Sequence, residues 1–458
     1  MNKTIATLFV LLFYNGFLNA QSITGILNQS VNQSIKLEGF NGFKTYPISL
    51  STLDEKGNFK LTYSKSDYGV GYLIANDSKP LFVILSEENI EVLGESLNFI
   101  ETITIKKGQE NQWFEQYAKE HSKREQALSA WNYLEKMYTL EPLLAMQDHV
   151  ATSIQTEKKR IKAEDAAFLA KLPQSSYVSW FLPTRKLVSA VKAVAQNQPE
   201  EIPATIAAFR ALDYTDQRLF KSGLFKEALE SHYWLLENSA KSVDAVFIEM
   251  QTSIDAMMAN FVQDNTKLNE VTTHLFELLE RHRLFSAAEY LALKVLNETS
   301  CTIDSNLARQ LESYRAMKMG NIAPDMVFDP SSFAKNTTTL NKLSDSKSKY
   351  TVVVFGASWC PQCQEELPEI ANQYSKWKSK DVEVVFIALE EDRSTFRDFV
   401  KAFPFPSYSD QKKWDTKMAM DYFVFATPTM FLLDNKREII MRPNSVKQMD
   451  AWVDLHLK

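Results

Sequence analysis

Cysteine is nearly absent: 458 residues hold three, Cys301, Cys360 and Cys363. That excludes a fold stapled by disulfides, which needs many bridges in a short chain. No block of Lys or Arg occurs, and 51 basic against 57 acidic side chains leave a net charge of -6. A mildly acidic chain without a basic block argues against nucleic acid as a partner. Glycine is scarce in the middle of the chain. Of 12 glycines, nine lie at or before Gly108, and only Gly223 falls between there and Gly320. Such a stretch is hard to build from hairpins, and Pro142, Pro173, Pro183, Pro199 and Pro203 punctuate it. It reads as helices broken by short turns. With 45% apolar and 24% charged residues, the chain is neither largely disordered nor a polytopic membrane protein. At about 150 residues per domain its length suggests roughly three domains.

The first twenty residues read as a targeting signal. Met1 to Lys3 gives a positive start, and Ile5 to Phe13 is an apolar run. Tyr14-Asn15-Gly16 breaks the run, and Ala20 offers a small residue for cleavage before Gln21. Leu18 is a poor residue three before the cut, so the cleavage point is approximate. The run is too short to span a bilayer, and no cysteine follows it to carry a lipid. The expectation is an exported, soluble protein in the periplasm or cell envelope of a Gram-negative bacterium.

Three regions follow. Residues 21–107 show short alternating runs, among them Ile35-Lys36-Leu37 and Phe59 to Tyr63, with Asp54 to Asn58 as a hairpin turn signal. A small antiparallel β domain, sandwich or barrel, is expected there. From 108 to 318 the period turns helical, as in Leu128, Trp131, Leu134 and Tyr138, or Leu275, Leu278 and Leu279. The aromatics Trp180-Phe181, Phe209 and Tyr233-Trp234 read as the core of an all-α region, and His121, His149 and His232 as scattered residues. Residues 319–458 read as α/β. Thr351 to Phe355, Val382 to Leu389 and Met430 to Leu433 are buried-strand runs, and Val446 to Leu457 is a closing helix.

The chemistry lies in this last region, at Trp359-Cys360-Pro361-Gln362-Cys363. Cys360 falls at a helix start, with Pro361 at the first helical position, where its missing N–H costs nothing. Free N–H groups and the helix dipole favour a thiolate there. Cys363 lies one turn on, so the two sulfurs can meet. The outer sulfur attacks a partner disulfide, and the inner one then displaces the mixed disulfide. Zinc is a poor alternative, because a structural site needs four ligands and no second pair lies nearby. No metal and no cofactor beyond the Cys360–Cys363 couple is expected.

These residues, with Ala323-Pro324-Asp325, Glu366, Pro368 and Thr427-Pro428-Thr429, resemble the TlpA/ResA-like branch of exported thioredoxin-fold thiol-disulfide oxidoreductases. The resemblance implies catalytic roles for Cys360, Cys363 and Glu366. It implies partner binding by Trp359, Pro361, Gln362, Thr427 and Pro428, with Pro428 as the cis-proline facing the sulfurs. Val354 stands where ordinary thioredoxin has its buried acid, and Glu366 sits on the face of Cys363, placed to take or give a proton; Glu365 is the weaker candidate. The peroxidatic Pro-x-x-x-Thr-x-x-Cys setting of the peroxidases that share this fold is absent around Cys360. The layout of β region, helical region and TlpA-like tail is similar to multidomain thiol-disulfide proteins of Bacteroidetes.

The resemblance favours a reductase over an oxidase. Expected partners are exported proteins carrying disulfides or dithiols, and a membrane or periplasmic electron donor. The competing class is a non-enzymatic binding or scaffold protein whose thioredoxin-like domain is redox-idle. Cys301 reads as an incidental thiol, with a third redox role as the alternative.

Overall fold

A computed structural model of the chain describes residues 20–75, 79–298, 303–334 and 338–457. The expected leader, but for Ala20, and Cys301 lie outside the described residues. The chain is multidomain, with an N-terminal β part, a helical middle and a C-terminal α/β domain. It divides into two compact units, residues 1–241 and 242–458.

In the first unit eight strands form two four-stranded sheets, ordered β4-β1-β7-β8 and β3-β2-β5-β6. The first sheet holds β1 (Gln21–Leu27), β4 (Asn58–Tyr63), β7 (Ile90–Gly94) and β8 (Thr104–Lys107). The second holds β2 (Ser34–Asn41), β3 (Lys44–Thr52), β5 (Gly69–Ala75) and β6 (Leu81–Leu85). Alternation decides which side chains turn inward: Phe59, Leu61 and Tyr63 of β4 join Ile23, Leu37, Leu73, Val83 and Val92 in one core. The sheets are antiparallel except where β1 runs parallel to β7. The Asp54–Asn58 turn forms, with Asp54 Oδ1 accepting the N–H groups of Lys56 and Asn58 at 2.8 Å each. It does not close a hairpin, because β3 pairs with β2 while β4 pairs with β1. Turn chemistry is local, and it does not say which sheet receives the next strand.

Asn111, at the start of helix Gln109–Leu140, pairs with β6 through its amide. It accepts the Ile84 N–H at 2.7 Å and donates to the Ile84 carbonyl at 2.8 Å, fully buried. Asn111→Ala strands both backbone groups. A loss of about 1–3 kcal/mol is expected in urea unfolding, and an unchanged midpoint would show that water replaces the amide.

The helices Gln109–Leu140, Asp148–Ala170, Tyr177–Asn197 and Phe225–Glu237 belong to the same unit. Phe181, Phe209 and Tyr233 are core residues there. Pro183 lies inside a helix instead of ending one. Its neighbours Phe181, Leu182, Thr184 and Val188 are all buried, and that packing holds the backbone helical past the ring. His121 is not isolated: its Nδ1 lies 2.9 Å from the buried carboxylate of Asp165, which also accepts from Lys186 and Tyr117.

The second unit opens with helices Val243–Ala259, Asn265–Arg281, Phe285–Glu298 and Ser305–Ala316. The helical stretch 108–318 is thus shared between the two units. The chain then turns at Gly320, whose φ of 87° suits a residue without a Cβ. Residues 320–323 lie along the outer edge of the C-terminal sheet, with the Gly320 N–H on the Ile439 carbonyl and the Ala323 N–H on the Arg437 carbonyl.

That sheet has five strands in the order β11-β10-β9-β12-β13. Strands β9 (Tyr350–Gly356), β10 (Val382–Ala388) and β11 (Ser407–Tyr408) run parallel. Strands β12 (Thr429–Asp434) and β13 (Ile439–Met441) return antiparallel. Helices Pro361–Ser379 and Val446–His456 complete the domain. Every residue of β9 after Tyr350 is buried, as a central strand covered on both faces requires. Trp377 is fully buried between these helices, and its Nε1–H donates to Asp450 at 2.9 Å.

Candidate functional site

Strand β9 ends at Gly356 and delivers Ala357-Ser358-Trp359 to the start of helix Pro361–Ser379. Cys360 is the residue that caps the helix. Its Sγ accepts the Cys363 N–H at 3.2 Å, satisfying a donor the helix leaves over. The Cys360 thiol donates to the Thr427 carbonyl at 3.4 Å. Both cysteines are free thiols. Cys360 keeps 6% of its surface exposed and Cys363 none, so only the first sulfur can be approached from outside. Gly356 makes room for the second: a Cβ there would stand 3.3 Å from Cys363 Sγ and 3.0 Å from the Phe386 ring. Burial, and then the hydrogen bond with Cys360, push the Cys363 thiol up to about 12.

The residues singled out in the sequence gather around this pair. Pro361 is the first residue of the helix and Pro368 lies within it. Trp359 is half-exposed; its Nε1–H donates to the Leu389 carbonyl at 3.2 Å and its ring lies 5.9 Å from that of Trp414. The Thr427–Pro428 bond is cis, and Thr427 meets the Cys360 sulfur through its carbonyl. Phe425, two residues earlier, is exposed. Glu366, the acid that the sequence favoured, is buried, whereas Glu365 is exposed. Gln362 is exposed, and its Nε2 donates to Glu366 Oε1 at 3.0 Å.

Two residues escaped the sequence reading. Glu390 is buried just after β10, and its carboxylate accepts the Ser358 N–H and, at 3.1 Å, the Ser358 hydroxyl. It braces the loop that carries Trp359 and Cys360. An available signal was its place after a buried parallel strand, where the sites of open α/β sheets lie. The other is Arg283, whose Nη1 lies 2.5 Å from Glu366 Oε1. No local pattern marks it.

A dithiol capping the first turn of a helix, opposite a cis-proline loop and at the end of a central parallel strand, defines a thioredoxin-like redox domain. Residues 348–439 match the thioredoxin-like family. Among curated proteins, sporulation thiol-disulfide oxidoreductase A of Bacillus subtilis is 32% identical over 117 residues, covering 24% of this chain and 69% of that protein. Thiol-disulfide oxidoreductase ResA of the same species is 33% identical over 101 residues, 22% of this chain and 55% of that protein. A thioredoxin-like protein from Bacteroides caccae aligns over 62% of this chain and 96% of its own, at 14% identity and a TM-score of 0.42. Through its C-terminal domain the chain belongs to the thioredoxin-like family of thiol-disulfide oxidoreductases. Among the described residues no helix is long and apolar enough to cross a membrane.

Proposed function

We propose that this protein exchanges electrons with the disulfides of exported partner proteins, in the reducing direction, outside the cytoplasm. The observation that carries the reading is the pair of free thiols one helical turn apart, the outer capping the helix and the inner sealed from solvent. Cys360 attacks a partner disulfide; a bond forms between Cys360 and one partner sulfur, and the other leaves with a proton. Cys363 then attacks Cys360, an internal disulfide forms, and the second partner sulfur departs as a thiol. Two electrons and two protons reach the partner, and a dithiol donor in the same compartment must return them to the protein.

Several features support the finer points. The relatives in Bacillus are thiol-disulfide oxidoreductases by name. Export rests on the apolar run Ile5 to Phe13 behind a positive start. The reducing direction rests on the likeness to the ResA group and on the lack of a histidine between the cysteines, which deprives the thiolate of an imidazolium that would favour a strong oxidant. Trp359, Pro361 and the Thr427-Pro428 loop ring the outer sulfur and are the surface a partner chain meets.

The test is reduction of insulin disulfides with dithiothreitol, comparing the full chain with Cys360→Ser. The intact chain should speed the reaction about tenfold over the reductant alone, as expected of a thiol exchanging through a mixed disulfide, and the variant should not. Equal rates would instead favour a binding or scaffold role with an idle redox domain.

A further inference from the structure

Glu366 is held asymmetrically. Its Oε1 takes two donors, Arg283 Nη1 at 2.5 Å and Gln362 Nε2 at 3.0 Å. Its Oε2 is buried and takes none. A buried carboxylate oxygen left without a donor costs free energy, so its persistence beside the dithiol calls for a reason. Glu366 lies three residues after Cys363, on the same face of the helix. Cys363 is the thiol that must shed a proton during exchange, and burial pushes that thiol up to about 12. Unaided, it is a poor nucleophile.

Arg283 does not come from the thioredoxin-like domain. It sits in the turn between helices Asn265–Arg281 and Phe285–Glu298, at φ 58°, a left-handed conformation that side chains other than glycine seldom adopt. The same Nη1 also donates to the Asn444 carbonyl, at 2.8 Å, in the segment leading into helix Val446–His456. Nearby, Arg442 inserts its guanidinium among the rings of Phe285, Tyr314 and Phe431, at 4.1, 4.9 and 5.5 Å, with Glu280 at 3.8 Å. The turn that carries Arg283 is therefore fixed on the redox domain by packing that does not involve Glu366.

We infer that Arg283 is a positioning residue of the dithiol site: by engaging one oxygen of Glu366 it orients the carboxyl group and leaves the other oxygen to receive the Cys363 proton. The inference rests on the dithiol exchange proposed above. In the resolving step the Cys363 proton passes to Glu366 Oε2, the Cys363 sulfur bonds to Cys360, and the bond from Cys360 to the partner breaks. Its electron pair leaves on the partner sulfur, which takes up a proton. The helical segment thereby governs the second half of the exchange and not the first, in which Cys360 alone attacks.

A symmetrical aromatic disulfide with a coloured thiol product separates the halves, releasing one equivalent on attack by Cys360 and a second on resolution by Cys363. With the full chain, Arg283→Met should leave the first release within about twofold and slow the second about tenfold, the lower end of what a positioned proton acceptor contributes. Arg283→Lys, which keeps the charge, should recover most of the rate. Adding Arg283→Met to Glu366→Gln should change nothing further, because the arginine acts only through that acid. An unchanged second release in Arg283→Met, no recovery with lysine, or a further slowing in the Glu366→Gln background would each overturn the assignment. Arg283→Gln gives a second uncharged side chain should the methionine fail to fold. A wild-type chain that releases neither equivalent would overturn the exchange reading and this one together; normal wild-type release with an indifferent Arg283 overturns this one alone.

Discussion

Cys363→Ser should hold its partner on Cys360 as a stable mixed disulfide. In the native chain that species is short-lived, because the resolving sulfur sits one turn along the helix that Cys360 caps. Two groups held in place react with effective concentrations of about 10⁵ M or more, so removing one should lengthen the life of the adduct by at least about a thousandfold. The first step should survive. The hydrogen bond to Cys360 Sγ comes from the backbone N–H of residue 363, which serine keeps, and the smaller oxygen of serine fits the space that Gly356 leaves by lacking a Cβ. A model peptide disulfide and mass mapping give the readout: the adduct on Cys360 in Cys363→Ser, none in Cys360→Ser. An adduct mapped to Cys301, or none at all, would refute the order of attack.

The parts of the site that lie along one stretch of chain were legible in the sequence. Strand, turn, Cys360, Pro361 and Cys363 run consecutively, and the buried run of β9 announces a covered strand without any partner being known. What was not legible acts across the chain. Glu390 reaches Ser358 over 32 positions and Arg283 reaches Glu366 over 83; neither carries a periodicity or a motif, since each contact exists only once separate elements have packed. The same limit explains the turn at Asp54–Asn58, whose hydrogen bonds follow from its residues while its role as a crossing between sheets does not. It also explains Gln362. Its position inside the motif suggests contact with a partner; that its amide also donates to Glu366, an acid one turn further along and buried only because the helix is docked, was not legible. The choice of Glu366 over Glu365, by contrast, was legible in the three-residue step from Cys363, and the docked helix buries the first and exposes the second.

The buried thiol also makes the reduced protein sensitive to alkali. In the fold, Cys363 is pushed from an ordinary 9.0 to about 12, first by burial and then by its hydrogen bond with Cys360. At pH 8 it should present far less thiolate than an unstructured cysteine, because burial holds its pKa up. Alkylation of the reduced chain at that pH should therefore mark Cys360 well before Cys363. The sign of the effect on stability follows from proton counting. Between pH 9 and about 12 the folded state retains a proton that the unfolded state has released, so the contribution is whole below pH 9 and is lost as the pH rises toward 12. The urea midpoint of the reduced protein should fall across that range more steeply than that of Cys363→Ser, which has no thiol to titrate. The oxidised protein, with its sulfurs joined, should resemble the variant in this respect. If the three forms lose stability in parallel, Cys363 is not held as a buried neutral thiol, and the need for an acid beside it disappears as well.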